Sequence, residues 1–352
     1  MNRLLSLRLF LAFTAGGLPF SLPAANASAT AAGAARTAFL KIIDRPRVPL
    51  APELQLAVER DSLVQLAFSY AAEAGQRVPG LLVKPAGYSR VRRPVVISLH
   101  GTGGDKESQL KLLNQFAALG FVAVAIDGRY HGARSRSRKE TTDYTDAIHR
   151  AYRSGVEHPL FYDTVWDVAR LIDWLVTRDD ADPTRIGLIG FSKGGIETWL
   201  TAAADSRIAA AVSCLGVQSF RWALEHNAWQ PRIGTIQTAF TAAAHDAGIA
   251  KPTTKFARQF FDRVAPGIAG PFDAPAMLPL IAPRPLLVIN GDSDALTPLP
   301  GVEASAATAR AAYITAGSCE KFFLIIQPKT GHKVSSNSLQ AARDWLVLWL
   351  RP

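Results

Sequence analysis

The chain has 352 residues, 48% hydrophobic and 19% charged, with 26 Gly, 22 Pro and two Cys. That composition excludes a disordered chain, a collagen-like repeat and a disulfide-stapled mini-domain, and the length allows one large α/β domain or two ordinary ones. The net charge of +10, from 39 Lys and Arg against 29 Asp and Glu, points first to a polyanionic partner.

Residues 1–8 (MNRLLSLR) carry two Arg and no acid, and residues 9–22 form an apolar stretch broken by Gly16, Gly17 and Pro19. Ala25-Asn26-Ala27 then fits the small-x-small pattern of a signal-peptidase site. Residues 1–27 therefore read as a cleaved signal peptide, and the chain as exported to the periplasm or the medium. The interrupted apolar run is too short to span a bilayer, which takes about 20 residues, and no later segment reads as a membrane span. Residues 28–40 (SATAAGAARTAFL) read as a flexible leader, and 41–352 as one domain.

Strand-like runs follow at 80–84, 95–99, 121–126, 186–190, 208–213, 286–290 and 322–327. Several are continuous Val/Ile/Leu runs without alternation, as strands covered on both faces should be. The stretch 53–72 is a candidate for antiparallel edge strands. Between the runs lie helical patterns. In 163–178, Val165, Val168, Ile172 and Leu175 recur at 3–4 spacing with Asp163 as N-cap, and in 335–350 Ser336 or Asn337 caps a helix burying Leu339, Leu346 and Trp349. This alternation predicts an α/β fold with a mainly parallel central sheet flanked by helices. The interval 217–284 holds no clear strand and several aromatics, and reads as a helical cap inserted between two strands. Cys214 and Cys319 fall at opposite ends of their strands, too far apart to bridge.

The chemistry concentrates in 185–195, RIGLIGFSKGG, where a strand enters Gly190-Phe191-Ser192-Lys193-Gly194-Gly195 and a helical run follows. A G-x-S-x-G between a buried strand and a helix is the context of a nucleophile elbow: a tight turn that projects Ser192 and aims the Lys193 amide at the same space. A serine hydroxyl needs a base, and His332, after the strand FFLIIQ, falls on the same sheet edge. The imidazole needs a carboxylate, for which Asp294 in Gly291-Asp292-Ser293-Asp294 is preferred over Asp292, whose place after the turn Gly suits an Asx-type turn. The loop His100-Gly101-Thr102-Gly103-Gly104 offers a second oxyanion donor, the Thr102 amide ahead of that of Gly103, with His100 bracing backbone.

These segments, with Asp127-Gly128-Arg129-Tyr130-His131-Gly132 and Asp182-Pro183-Thr184-Arg185-Ile186, fall in an order that resembles the α/β-hydrolase-fold serine hydrolases. They look most like the branch of dienelactone hydrolases, acetyl esterases and prolyl oligopeptidase catalytic domains, over roughly residues 78–350. The resemblance implies Ser192, Asp294 and His332 as catalytic residues, hydrolysis through an acyl-serine, and no cofactor or metal. Ser192 stands where dienelactone hydrolases have Cys, which argues against that particular activity. It leaves two substrate classes, a small-molecule ester or a short peptide; within this chain no β-propeller precedes the hydrolase-like region, which favours the ester. A third reading, a non-catalytic polymer-binding scaffold, rests on the basic charge. Five basic residues within 129–139 offer Arg129 as a substrate contact on an electropositive rim, and Trp222 is a candidate to line the substrate pocket from the cap. No nucleic-acid-binding motif accompanies the charge.

Overall fold

The computed structural model describes residues 23–87, 91–137 and 141–352, with side chains from residue 33 onward. The proposed signal peptide lies largely outside the described residues, as do Arg138 and Lys139 of the basic loop.

The first element is a helix, α1 (Pro23–Ile43), where the sequence reads as a flexible leader. Its C-terminal half is docked. Phe39 is fully buried, its ring 5.0 Å from that of Tyr162 and 5.3 Å from that of Phe272, and the Arg36 Nε–H donates to the Ala203 carbonyl at 2.7 Å. The Ala-rich composition hides this role because two residues, Phe39 and Ile43, carry the anchoring.

Among the described residues ten strands form one sheet. Short β1 (Glu53–Leu54) and β2 (Val58–Arg60) pair with long β3 (Leu63–Glu73), which pairs antiparallel with β4 (Gln76–Pro85). The remaining strands alternate with helices: β5 (Arg93–Leu99), α2 (Leu110–Ala118), β6 (Val122–Ile126), α3 (Thr142–Ser154), α4 (Tyr162–Leu175), β7 (Ala181–Phe191), α5 (Lys193–Ala204) and β8 (Ile208–Cys214). Five short helices follow, α6 (Phe220–Glu225), α7 (Gln230–Gly234), α8 (Gln237–Asp246), α9 (Thr254–Val264) and α10 (Ala274–Met277). The chain closes with β9 (Leu286–Gly291), α11 (Leu299–Thr315), β10 (Phe322–Gln327) and α12 (Ser336–Leu350). The spatial order is β1-β3-β4-β6-β5-β7-β8-β9-β10, parallel from β6 through β10.

Both faces of the parallel part are covered. Val95, Ile97 and Leu99 of β5 face one apolar cluster with α4 and α5, while Val96 faces the other with α2 and α12. That is the physical origin of the unalternating runs. The chain leaves β5 toward β6 on one side and returns to β7 on the other, so the loops after β5 and β7 diverge at the C-terminal edge of the sheet and open a crevice there.

Two capping expectations change. Asp163 is the second residue of α4 rather than its cap, is 2% exposed, and pairs with Arg45 while accepting from the His158 amide at 3.3 Å. In α12 the cap is Ser335, whose hydroxyl accepts from the Ser338 amide, and the buried stripe is Ala342, Leu346 and Leu350, with Leu339 and Trp349 half-buried. Both cysteines are free, Cys214 buried and Cys319 exposed. No helix of the described residues is long and apolar enough to cross a membrane.

Truncating the α1 anchor tests its docking. Phe39→Ala should lower stability by about 3–5 kcal/mol in urea unfolding, as expected for a large apolar side chain removed from a core. A change within error would mean that α1 does not contribute to the fold.

Candidate active site

Ser192 follows the last residue of β7 and immediately precedes α5. Its backbone is held at φ 54°, ψ −114°, in a region that costs a non-glycine residue roughly 1–3 kcal/mol. The neighbours that fix this turn have no room for side chains. A Cβ on Gly190 would lie 2.1 Å from the Gly194 carbonyl oxygen, and one on Gly194 would lie 2.3 Å from that of Leu99. The Ser192 amide donates to the Cys214 carbonyl at 2.8 Å, tying the turn to β8.

His332 and Asp294 reach Ser192 from the loops after β10 and β9. Ser192 Oγ lies 2.7 Å from His332 Nε2, and His332 Nδ1 lies 2.7 Å from Asp294 Oδ2. A carboxylate only accepts, so Nδ1 carries the ring proton and Nε2 accepts from the serine hydroxyl. Asp294 is 2% exposed and also accepts from Thr297 Oγ1 at 2.7 Å and from the Leu296 amide at 2.9 Å. Burial works to raise its pKa, but the hydrogen bonds from His332 and Thr297 outweigh it and hold the carboxyl below the usual range. Asp292 serves differently: its carboxylate accepts from the amides of Lys329 at 2.8 Å and Thr330 at 3.1 Å, clasping the His332 loop to the Asp294 loop.

The loop after β5 closes the site from the other side. Gly101 packs so near the elbow that a Cβ there would lie 3.3 Å from the Phe191 carbonyl oxygen. Thr102 and Lys193 line one cavity together with Tyr144, Leu160, Phe161, Arg232, Thr235, Ile236 and Phe261. Lys193 is 2% exposed; its Nζ donates to Glu197 Oε1 at 2.5 Å and sits 5.6 Å from the centre of the Tyr144 ring. Burial raises Glu197 to about 7 against the opposing pull of Lys193. His100 is a brace: Nδ1–H donates to the Gly101 carbonyl at 2.7 Å and Nε2 accepts from the Gly128 amide at 3.0 Å. Burial, helped by the Lys193 charge, lowers its pKa to about 4 and keeps it neutral.

Two sequence candidates fall elsewhere. Arg129 is 5% exposed and turned inward, donating to Asp167 through Nε at 2.9 Å and Nη2 at 3.0 Å and to Glu73 at 2.5 Å. Arg134 joins it on Asp167 at 2.6 Å. A fully buried carboxylate cannot stay ionised without such partners, so this part of the basic loop is committed to structure and Arg129 is no substrate contact. Trp222 is half-buried on α6, stacked on His226 with ring centres 4.2 Å apart, and does not line the cavity. In its place the cap contributes Arg232, Thr235, Ile236 and Phe261, which no local pattern distinguishes in the sequence.

Residues 94–242 match a family model described as alpha/beta hydrolase fold. The chain is 25% identical over 318 residues to YtaP of Bacillus subtilis (strain 168), a protein named as a hydrolase, covering 86% of this chain and 94% of that one. It is similar in structure to the acetyl xylan esterase from Paenibacillus sp. R4, with a TM-score of 0.65 and 20% identity over 95% of this chain and 96% of that one. Acetyl xylan esterase 1 from Thermoanaerobacterium sp. JW/SL YS485 gives a TM-score of 0.65 and 19% identity, covering 94% of this chain and 99% of that one. The chain has the α/β-hydrolase fold. Its likenesses lie in the esterase and hydrolase branch of that fold.

The Asp167 cluster carries a stability prediction. Asp167→Asn leaves two buried guanidinium groups short of their carboxylate and should cost about 3–5 kcal/mol in urea unfolding at neutral pH. Burial pushes the Asp167 carboxyl up, yet Arg129 and Arg134 hold it below its unfolded value. Its contribution is therefore present above about pH 4 and lost as pH falls, so the difference between the two proteins should shrink in acid.

Proposed function

We propose that this chain is an exported serine hydrolase that cleaves carboxylic esters through an acyl-serine intermediate. The observation that carries the reading is the unbroken hydrogen-bonded line Ser192–His332–Asp294 ending at a strained strand-to-helix turn. Ser192 Oγ attacks the ester carbonyl carbon while His332 Nε2 takes its proton. The charge that develops on the carbonyl oxygen is met by the amides of Lys193 and Thr102, at the N-terminus of α5 and in the loop facing it. Collapse breaks the bond to the alkoxy oxygen, and His332 returns the proton so that the alcohol departs neutral. A water then surrenders a proton to His332 and attacks the acyl-serine, releasing the acid and restoring Ser192. Asp294 remains ionised throughout, fixing the tautomer of His332 and offsetting the charge the ring acquires.

The cavity beside the two amides favours a short acyl group. It is narrow and largely enclosed. An enclosed space suits the part of the ester that stays bound to serine, because the alcohol needs a way out to solvent. The positively charged start of the chain, its apolar stretch and the Ala25-Asn26-Ala27 site support export.

A fluorophosphonate should label Ser192 in the wild-type protein and leave Ser192→Ala unmodified; a folded wild type that resists labelling would overturn the reading. Hydrolysis of p-nitrophenyl acetate should fall about 10⁴-fold or more in Ser192→Ala and His332→Ala and about 10⁴-fold in Asp294→Asn. The acetate should be cleaved faster than the octanoate, and faster than an aminoacyl p-nitroanilide, which a peptidase would prefer. Mass spectrometry of protein recovered from the exporting host should show a mature chain beginning at Ser28.

A further inference from the structure

The cap contributes one cation to the cavity that the chain leaves without a counter-charge. Arg232, on α7, is 6% exposed, and its Nη2 donates to the Leu296 carbonyl at 3.0 Å. Its Nε is buried with no hydrogen-bond partner. Among the described residues no carboxylate forms a salt bridge with it, whereas the other cation of the cavity, Lys193, is matched by Glu197. The nearest acid in electrostatic terms, Asp294, has its oxygens engaged by His332, Thr297 and the Leu296 amide. Burial lowers the Arg232 pKa only to about 10, so the group is charged at neutral pH. A desolvated guanidinium with unused donors is costly to keep and is the side chain best shaped to take a carboxylate in a forked pair.

Position says which part of a ligand would bring that carboxylate. Arg232 lines the same enclosed space as Thr102 and Lys193, the two residues whose amides the esterase reading assigns to the carbonyl oxygen. On that reading a group in this space belongs to the acyl side of the ester. We propose that Arg232 recognises a carboxylate carried by the acyl part of the substrate, so that preferred substrates are half-esters of short dicarboxylic acids. This rests on the esterase reading above. The basic loop is excluded from that role at Arg129 and Arg134, which are spent on Asp167.

The test compares methyl hydrogen malonate with methyl 3-methylbutanoate, in which a neutral isopropyl group replaces the carboxylate at nearly equal size. By methanol release, the wild type should favour the half-ester at least about tenfold in kcat/KM. Arg232→Gln should lower that ratio by about tenfold or more, mainly through the KM of the half-ester, and Arg232→Lys should fall between the two. A ratio unchanged in Arg232→Gln, or a wild type that prefers the neutral ester, would overturn the proposal. Binding without turnover is read in Ser192→Ala. Methyl hydrogen malonate should raise its Tm, the neutral ester should not, and adding Arg232→Gln should abolish the rise; equal shifts with and without Arg232 would also overturn it. Failure to hydrolyse any ester would defeat the esterase reading and leave this binding measurement to decide Arg232 independently.

Discussion

The turn at Ser192 sets the terms for everything around it. Its backbone takes a conformation that an L residue adopts at a cost, and the fold holds it there by bringing four backbone segments to within contact. Gly190 meets Gly194, Gly194 meets Leu99 and His100, Gly195 meets Cys214, and Gly101 meets Phe191. Those contacts fix the distance between β5, β7 and β8 at their C-terminal ends as much as they fix the serine. The loop after β5 can approach the elbow this closely only because Gly101 and Gly194 carry no side chains. The glycines are therefore spacers of the sheet edge as well as hinges of a turn.

Charge is distributed by the same logic of limited space. An excess of basic residues suggests a surface property, yet Arg129 and Arg134 of the basic loop turn inward while Arg136 is exposed. Arg129 and Arg134 neutralise Asp167, Arg129 and Arg45 share Glu73, and Lys106 meets Asp127. These pairs hold the loop after β6 against β3 and α4, which places Gly128 where it can hold His100, and His100 in turn shapes the loop bearing Thr102. The net positive charge thus has a structural share, and among the described residues the buried Arg232 of the cap has no salt-bridge partner.

Much of this was readable in the residues, for identifiable reasons. Strands buried on both faces advertise themselves as continuous apolar runs, and strands lie at all seven runs, including the half-buried edge strand β10. The G-x-S-x-G turn is legible because steric exclusion acts at fixed spacing from one residue. Asp292 and Asp294 could be ranked by their distance from the turn glycine. Features that depend on distant partners were not legible. Phe39 looks like one aromatic in an Ala-rich stretch until Tyr162 and Phe272 close over it. Asp163 has the composition of a cap, but Arg45, 118 positions earlier, claims its carboxylate. Arg129 and Arg232 are alike in sequence, and only the fold reveals that one is paired and the other is not.

The clasp formed by Asp292 has a consequence for how such a molecule can change. Its carboxylate joins the loop bearing His332 to the loop bearing Asp294 through main-chain amides of Lys329 and Thr330, which any residue supplies. His332 and Asp294 are thereby mounted on one frame, anchored in β9 and β10, and Ser192 on another, anchored in β7. The cap, threaded between β8 and β9 and built of short helices, touches the first frame where Arg232 donates to the Leu296 carbonyl. Apart from Arg232, its cavity-lining residues Thr235, Ile236 and Phe261 have no hydrogen bond to either frame among the described residues, so they can be exchanged with little need to realign Ser192, His332 and Asp294. What the site accepts and how it reacts are separable inheritances, written in different stretches of the same chain.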